Sequence, residues 1–252
     1  MPKLSIITVN LNNKAGLGDT AKSVITQTWL DYEWIIIDAG STDGSVEVIK
    51  ESAAKTNKLV YWCSEPDGGA YHGMNKGIEK AGGEYCWFLN SGDCAYKNTT
   101  LEEIFANKFD EDIVYGDIVF KKDADSHILK KLSPRLYPSK LAYGNIAHQA
   151  VFTKTKILKE KNGYRTDFKI ASDWAFYIKA ICKEKASYKH LSVVFAISSL
   201  YGITSANPGI HEKEREIAKK EVFSKKELFF YFFSIASLRS KVRKTLALFG
   251  RV

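Results

Sequence analysis

The sequence has few cysteines and none in the spacing of a metal site. Its four cysteines, Cys63, Cys86, Cys94 and Cys182, form no C-x-x-C pair, so neither a zinc site nor a disulfide framework is predicted. No apolar run reaches the roughly 18 residues that a membrane-spanning helix needs. The N-terminus also lacks the apolar run and cleavage site of a secretory signal. We therefore expect a cytoplasmic protein with reduced thiols.

Repeats, low-complexity segments and the G-x-x-x-x-G-K-[ST] phosphate loop are also missing from the sequence. The composition is that of an ordinary globular protein, with 252 residues of which 45% are hydrophobic and 26% charged. A chain of this length is predicted to form one sizeable α/β domain, alone or with an appendage.

Positive charge is unevenly distributed along the chain. The formal net charge is +8, and residues 211–252, with eleven Lys or Arg and five Glu, carry +6 of it. This distribution predicts a basic C-terminal appendage and argues against a core that binds nucleic acid.

Strand-like and helix-like segments alternate in the first part of the chain. Such alternation is typical of βαβ units, which form a parallel sheet covered on both faces and bind ligands at the carboxyl ends of the strands. The predicted strands are 3–10, 32–40, 59–64 and 85–89, and the predicted helices are 18–28, 43–55 (capped by Asp43) and 69–82.

The pattern becomes less regular beyond residue 110. Segments 112–120 and 127–133 are typical of antiparallel strands joined by a turn. Segment 148–154 predicts a strand that opens on a histidine, and 192–202 predicts a last strand. Between them, segment 172–184 predicts an amphipathic helix with Ser172 as its N-cap.

Small, polar or acidic residues stand at the end of each of the first four predicted strands. One such strand end would need no special explanation, but four at one edge of a parallel sheet describe a crevice. The first strand finishes with Thr8 and Asn10, the second finishes near Asp38 and is followed by Ser41, the third is followed by Asp67, and the fourth by Asn90 to Asp93.

Two classes of ligand fit this crevice. One is a dinucleotide such as NAD, because Gly16 to Ala21 fits G-x-G-x-x-A and Asp38 follows about 20 residues later. In that motif the first glycine turns directly off the strand, whereas "LNNKA" separates Asn10 from Gly16. The other class is a nucleotide sugar, with a uracil imide donating to Asp38 and a diphosphate sharing a divalent cation with the "NSGD" turn.

Five blocks then occur in order: "SIITVNLNN", "WIIIDAGSTDGS", "SEPDGGAYHGMNKGIEKAGGEY", "FLNSGD" and "ASDWAFYIK". Together they closely resemble bacterial family 2 glycosyltransferases. The resemblance implies an α/β fold of the GT-A type over residues 1–205, with a Rossmann-like, mostly parallel sheet flanked by helices. It also implies an enzyme that transfers a hexosyl or N-acetylhexosaminyl group from a nucleotide-sugar donor to an acceptor hydroxyl. Inversion at the anomeric carbon and a divalent cation, Mn²⁺ or Mg²⁺, are part of that expectation.

The resemblance places the donor nucleotide at the first two strand ends. Thr8, Asn10 and Asp38 match the positions that hold the base and ribose, and Ser41 lies beside them. Asp67 is expected either to order a loop over the donor or simply to form a turn.

The family's D-x-D-type metal motif corresponds to Asn90 through Asp93. Asn90 stands in place of the first aspartate and Gly92 in place of another common acid, so Asp93 is the strong metal ligand that remains. Strict metal dependence is therefore left open. Asn90 and Ser91 are expected to contact the donor.

Asp173 matches the family's general base, which takes the proton of the attacking hydroxyl. On local sequence alone, it could equally be a favourable negative charge in the first turn of a helix. His148 is a candidate metal ligand or a structural histidine, and Lys76 a candidate phosphate contact or a solvated lysine. Trp174, beside the base, could pack against an acceptor sugar.

The C-terminal segment 206–252 is predicted to be a basic amphipathic helical tail. Its Phe- and Leu-rich block with flanking basic residues suits peripheral contact with an anionic membrane at the inner face of the cytoplasmic membrane. A saccharide or lipid-linked acceptor, in surface polysaccharide or glycolipid assembly, would fit such a location. The alternatives are a non-catalytic nucleotide-binding or scaffold protein with this fold, and an NAD-binding dehydrogenase-like domain.

Overall fold

A computed structural model describes residues 1–123, 126–202 and 206–233. At its centre is a mixed sheet of nine strands. Its strands are β1 (Leu4–Asn10), β2 (Tyr32–Asp38), β3 (Leu59–Ser64), β4 (Tyr85–Phe88), β5 (Cys94–Ala95), β6 (Ile113–Lys121), β7 (His127–Lys130), β8 (Val151–Lys154) and β9 (Tyr188–Ser199).

The order across the sheet is β3-β2-β1-β4-β8-β6-β9-β5, with β7 paired to β6. The pairs β1–β2, β1–β4 and β2–β3 are parallel, as the alternating pattern predicts. The antiparallel pairing of β6 with β7 confirms the sequence expectation for these two segments. Strand β8 lies between β4 and β6 and runs antiparallel to both, so the parallel part of the sheet ends at β4.

Helices cover both faces of the sheet in the described part of the chain. They are α1 (Lys14–Ile25), α2 (Ser45–Lys55), α3 (Ala70–Lys80), α4 (Thr100–Phe105), α5 (Pro138–Tyr143), α6 (Thr155–Glu160), α7 (Ser172–Ile178) and α8 (Pro208–Val222), with a final helix α9 over 225–233. A short 3₁₀ helix (His148–Ala150) and a π-helical turn (Lys179–Lys183) complete them.

Strand β1 shows why the central strands carry apolar residues on both faces. Leu4 and Ile6 face one hydrophobic cluster and Ile7 and Val9 face another, so every residue of the strand is buried. This two-sided burial is typical of parallel sheets covered by helices. Ala218 and Phe223, in and just after α8, belong to the second of these clusters.

The structure differs from the sequence expectation at several element ends. Gly44, with a φ of 92°, occupies the N-cap of α2, although the Asp43 carboxylate still accepts from the Ser45 amide at 3.0 Å. Ser172 is the first residue of α7 and does not cap it. The predicted strand 148–154 begins with a 3₁₀ turn, and β9 starts four residues before the predicted strand 192–202.

In the part of the chain that is described, no helix is long and apolar enough to cross a membrane. Of the predicted tail, residues 206–233 are described, whereas residues 234–252 lie outside the described residues. The predicted boundary between a domain at 1–205 and a tail at 206–252 stays a prediction.

Candidate active site

Asp38, at the end of β2, is the centre of a hydrogen-bonded cluster. Its Oδ1 accepts from Asn10 Nδ2 (2.7 Å) and Ser41 Oγ (2.6 Å), and its Oδ2 accepts from the Ser41 amide (2.8 Å) and Ser64 Oγ (2.6 Å). Burial raises the pKa of Asp38, but these hydrogen bonds outweigh burial and hold the pKa below its ordinary value. A uracil imide would therefore have to replace one of the hydroxyl donors on an ionised carboxylate.

Thr8 lies below this cluster, inside the core. Its side chain has no exposed surface, and its Oγ1 accepts a hydrogen bond from Trp34 Nε1 at 3.0 Å. The contact with the nucleotide that the sequence suggests for Thr8 stays a prediction, because the hydroxyl is already used within the protein.

The turn after β4 is shaped by Gly92. Gly92 has a φ of 99°, and the Asp93 amide donates to the Asn90 carbonyl at 2.8 Å, as in a type II turn with glycine in the third position. L-amino acids with a Cβ rarely adopt this φ. The glycine that stands in place of a common family acid is thus favoured by the backbone of the turn.

Helix α1 holds this turn in place. Thr20 Oγ1 donates to the Asp93 carbonyl at 2.7 Å and accepts from the Gly92 amide at 3.0 Å. Asn13 Nδ2 lies 3.0 Å from the carbonyl oxygen and 3.3 Å from the Oγ of Ser91. Since both oxygens of Ser91 face Asn13, the donor contact expected of Ser91 stays a prediction.

The glycines of the G-x-G-x-x-A pattern lie inside α1. Asn13 Oδ1 accepts from the Gly16 amide at 3.1 Å, so the helix begins before the first glycine of the pattern. Neither Gly16 nor Gly18 forms a turn off β1, and the backbone therefore lacks the glycine turn of a dinucleotide-binding motif at this position.

Asp93 is a buried carboxylate whose charge is only partly compensated. Gln149 Nε2 lies 3.3 and 3.2 Å from its two oxygens and also 3.2 Å from Ser198 Oγ. Burial raises the pKa of Asp93 above its ordinary value, although His148, Ser198 and Gln149 act in the opposite direction. Such a carboxylate is stabilised by a cation that binds next to it.

Asp173 forms the second part of the site. Its Oδ2 lies 3.0 Å from His148 Nδ1, and its Oδ1 lies 2.8 Å from the Tyr71 hydroxyl, which also lies 2.7 Å from the Ile170 carbonyl. His148 Nε2 is 3.4 Å from Asn90 Nδ2, so the imidazole joins Asp173 to the turn after β4. His148 and Gln149 are consecutive, so the 3₁₀ turn links Asp173 and Asp93 through neighbouring side chains.

The electrostatics of this pair favour the charged forms. Burial raises the pKa of Asp173, but the hydrogen bond and charge of His148 outweigh it, so the pKa lies below its ordinary value. Burial lowers the pKa of His148, yet Asp173 and then Asp93 raise it above the ordinary value. Burial and the charge of Asp173 raise the pKa of Tyr71 far above its ordinary value, so Tyr71 stays protonated.

Three buried acceptor atoms at the strand ends lack hydrogen-bond partners among the described residues: Asn10 Oδ1, Asp67 Oδ2 and Asn90 Oδ1. Buried polar atoms are normally paired, so unpaired acceptors point to donors or a cation supplied by a ligand. Asp67 Oδ1 accepts from the Gly69 amide at 2.8 Å, which means that Asp67 both forms its turn and keeps one oxygen available.

Lys76 has a structural partner in the protein. Its Nζ lies 2.8 Å from Glu65 Oε1, and both side chains are partly exposed. This ion pair accounts for the position of Lys76, and the phosphate contact suggested by the sequence stays a prediction.

Asn90 and Asp93 are suited to hold a divalent cation. Within residues 1–123, 126–202 and 206–233, no group of three or more His, Cys, Asp or Glu side chains forms a metal site. However, Mg²⁺ and similar ions need only one or two carboxylates when phosphates and water complete the shell. The unpaired Asn90 Oδ1 and the Asp93 carboxylate, in one turn, fit such a site. His148 has its Nδ1 on Asp173, and its role as a metal ligand through Nε2 stays a prediction.

Sequence reasoning missed Tyr71 and Gln149. Tyr71 contacts a carboxylate 102 residues away and Gln149 one 56 residues away, so their roles appear only in three dimensions. Their places in the sequence could have indicated them. Gln149 directly follows the candidate residue His148, and Tyr71 lies within the "GGAYHGMNKG" part of the third sequence block.

Comparison with known proteins identifies the family. The model of glycosyl transferase family 2 matches residues 5–181, which contain every side chain of the candidate active site named above except Ser198. The chain belongs to this family. An uncharacterised glycosyltransferase of Mycobacterium tuberculosis is 33% identical over 186 residues, which cover 71% of this chain and 69% of the relative. A "PGL/p-HBAD biosynthesis glycosyltransferase" of the same species is 27% identical over 213 residues, or 80% of this chain and 78% of the relative.

Solved glycosyltransferases share the GT-A fold of this family 2 enzyme. Residues 1–349 of S. aureus TarS, in complex with UDP-GlcNAc, match with a TM-score of 0.70 at 18% identity, over 92% of this chain and 73% of theirs. A mannosyltransferase from Pyrobaculum calidifontis, in complex with GDP-Man and Mn²⁺, matches with a TM-score of 0.65 at 17% identity, over 91% and 68%. The match to another TarS structure spans only 39% of that chain.

Proposed function

We propose that this family 2 glycosyltransferase transfers a sugar from a UDP-linked donor to an acceptor hydroxyl, with inversion at the anomeric carbon. The observation that supports it is the convergence of Asp93 and Asp173, which contact the consecutive residues Gln149 and His148. An incompletely neutralised carboxylate suits the leaving diphosphate with its cation, and an ionised carboxylate linked to it through the next residue suits the attacking alcohol.

Asp173 is the proposed general base. Its pKa lies below the ordinary value, so it is an ionised acceptor at neutral pH. Tyr71, His148 and the Trp174 amide hydrogen-bond to it, and a carboxylate has about four acceptor positions. At least one position therefore remains for the acceptor hydroxyl, while Tyr71 and His148 fix the orientation of the carboxylate.

Asn90 and Asp93 would hold the divalent cation. Bound there, Mn²⁺ or Mg²⁺ supplies charge neutralisation for the departing diphosphate. The protein's own contribution is a turn that the glycine at 92 keeps free of a side chain, which lets phosphates approach the backbone. Asn10, Asp38 and Asp67 are proposed to bind the nucleoside.

A panel of ligands tests the donor assignment. TarS has been solved with UDP and UDP-GlcNAc and the Pyrobaculum enzyme with GDP-Man and Mn²⁺, so both bases belong in the panel. We expect UDP with Mn²⁺ to raise the melting temperature, and UDP alone, GDP and NAD to raise it less. Stabilisation by NAD without metal would favour the dinucleotide alternative, and stabilisation by GDP would correct the base.

The acceptor is proposed to be a saccharide, lipid-linked at the surface of an anionic membrane. The observation that supports the membrane location is a group of four phenylalanines at the end of α9. Phe229, Phe230, Phe232 and Phe233 are 53–61% exposed beside the basic Lys225 and Lys226. Basic helices with exposed aromatic residues bind the interface of anionic membranes.

A further inference from the structure

One carboxylate of α8 binds the backbone directly ahead of the helix that carries Asp173. Glu214 Oε1 accepts from the Lys169 amide at 2.7 Å, and its Oε2 accepts from the amides of Ile170 (3.0 Å) and Ala171 (2.9 Å). Glu214 is only 7% exposed, and these three amides lie 43–45 residues away in sequence. Three hydrogen bonds to one charged group make a strong local constraint.

The N-cap residue of helix α7 makes no side-chain capping hydrogen bond. Its N-cap is Ala171, which has no side-chain acceptor, and Ser172 Oγ is buried without a hydrogen-bond partner among the described residues. The first amides of a helix require acceptors. Glu214 supplies the acceptor for the amides that lead into α7, and it places a negative charge where the helix dipole favours one.

This constraint reaches Asp173 through Ile170. Glu214 accepts a hydrogen bond from the Ile170 amide. The carbonyl of Ile170 lies 2.7 Å from the Tyr71 hydroxyl, which in turn contacts Asp173 Oδ1. A shift of the Ile170 peptide would therefore move Tyr71 and the start of α7 together.

The next residue of α8, Arg215, contacts helix α7 itself. The Arg215 guanidinium lies 4.1 Å from the ring centroid of Trp174, and its Nη2 donates to the Gly144 carbonyl at 2.6 Å. Trp174 is 2% exposed and donates to the Leu141 carbonyl at 3.1 Å, so it packs in the core beneath Arg215 and offers almost no surface to an acceptor sugar.

We propose that Glu214 is a positioning residue for Asp173, so that α8 completes the active site. Glu214 lies outside residues 5–181, the part matched by the family model, and it acts through the backbone of residues 169–171 without touching substrate. The inference rests on the proposed role of Asp173 as the general base.

The test compares Glu214→Gln and Glu214→Ala with Glu212→Gln, a control that removes one exposed carboxylate from the same helix. Hydrolysis of UDP-GlcNAc, UDP-glucose and GDP-mannose, in which water takes the place of the acceptor alcohol, is followed through release of the nucleoside diphosphate. We expect kcat to fall about 10–100-fold in Glu214→Ala, the range that a displacement of about 1 Å can cost, with UDP affinity within about twofold of the parent. Glu214→Gln, which keeps one acceptor oxygen, should lose less, and Glu212→Gln should lose nothing. An unchanged kcat in Glu214→Gln and in folded Glu214→Ala would overturn the proposal.

A double-mutant cycle separates positioning from a general loss of structure. With Asp173→Asn already present, Glu214→Gln should reduce the residual turnover no further, because there is no base left to position. Full additivity of the two losses would contradict the proposal. If Asp173→Asn alone keeps full turnover, the proposed function fails, whatever the effect at position 214. Amide exchange at residues 169–171 should also be faster in Glu214→Gln.

Discussion

The two carboxylates of the site differ in how their charges are compensated. Asp173 lies between Tyr71 and the imidazole of His148, whereas Asp93 is contacted by the neutral amide of Gln149 at 3.2–3.3 Å. The opposite directions of their pKa shifts follow from this difference. This difference suits the proposed roles. As a base, Asp173 has to be ionised and oriented before the alcohol binds, whereas Asp93, as a metal ligand, would gain its cation together with the donor.

The His148–Asp173 pair should make stability depend on pH. The pKa of Asp173 lies below 3.8, so its contribution is present above about pH 3.8 and is lost as pH falls through the folded-state value. The pKa of His148 lies above 6.5, so its contribution is present below about pH 6.5 and is lost as pH rises through the folded-state value. The pair therefore stabilises most between these limits.

Asp173→Asn is expected to lower the free energy of unfolding by about 1–3 kcal/mol at pH 5.5 and by less at pH 9. Urea unfolding of both proteins at the two pH values measures the difference. An equal loss at both pH values would show that His148 does not carry the charge described here.

At this scale the sequence predicted the charged residues of the site better than their neighbours. Asp93 and Asp173 lie in the sequence blocks and His148 opens a separate predicted strand, and the structure brings His148 close to both carboxylates, while the roles of all three stay predictions. Thr8 illustrates the opposite case, because the end of a strand in the sequence does not say which face its side chain takes. Its hydroxyl points to Trp34 inside the core.

At the scale of elements, the shape of the turn after β4 depends on the backbone of Gly92. Apart from the residues next to it in the chain, a Cβ on Gly92 would meet only Asn13 Nδ2 among the described residues, at 3.5 Å, so the demand for glycine there comes from its φ of 99°. Gly18, in the neighbouring helix α1, has no such φ, and a Cβ there would meet no described atom within 4 Å other than its chain neighbours and the backbone of its own helix.

Gly92→Ala should therefore destabilise the protein by about 1–3 kcal/mol through the backbone alone and weaken binding of UDP with Mn²⁺. Gly18→Ala is the matched control and should stabilise by up to about 1 kcal/mol, since alanine is the better helix former. Thermal unfolding and UDP titration check both variants. If Gly92→Ala matched Gly18→Ala in both measurements, the backbone of the turn would not be what shapes the site.

Element boundaries were less predictable than element types. Ser172 fits the residue preference for an N-cap, yet the acceptor at α7 comes from Glu214 of a helix far along the chain. Local patterns cannot show such a partner because the contact exists only after α8 has packed on α7. The parallel strands were predictable, since their two-sided burial places apolar residues on both faces of each strand.

At the scale of the whole molecule, the basic charge and the catalytic site lie in different parts of the sequence. Residues 211–252 carry +6 of the net +8, while the side chains around Asp93 and Asp173 lie between residues 10 and 198. Helix α8 belongs to both parts, because Ala218 is buried in the core and Glu214 binds the segment before α7.

Removing residues 224–252 should therefore separate membrane binding from donor chemistry. The shortened chain keeps α8 and Phe223, so UDP affinity should stay within about threefold, while sedimentation with anionic phosphatidylglycerol vesicles should be lost. Neutral phosphatidylcholine vesicles are the control for charge. Unchanged binding of the shortened chain to anionic vesicles would refute the role proposed for the tail.

The central claim is that Asp173 activates the acceptor while the turn at Asp93 holds the donor. The most direct test uses one preparation of Asp173→Asn for two measurements. One is the release of nucleoside diphosphate from the same three donor sugars, and the other is the affinity for UDP. Release should fall by about 10²–10⁴-fold, the usual range for loss of a general base, with UDP affinity in the presence of Mn²⁺ unchanged. Turnover at the parent rate, or UDP affinity lost together with turnover, would contradict the account.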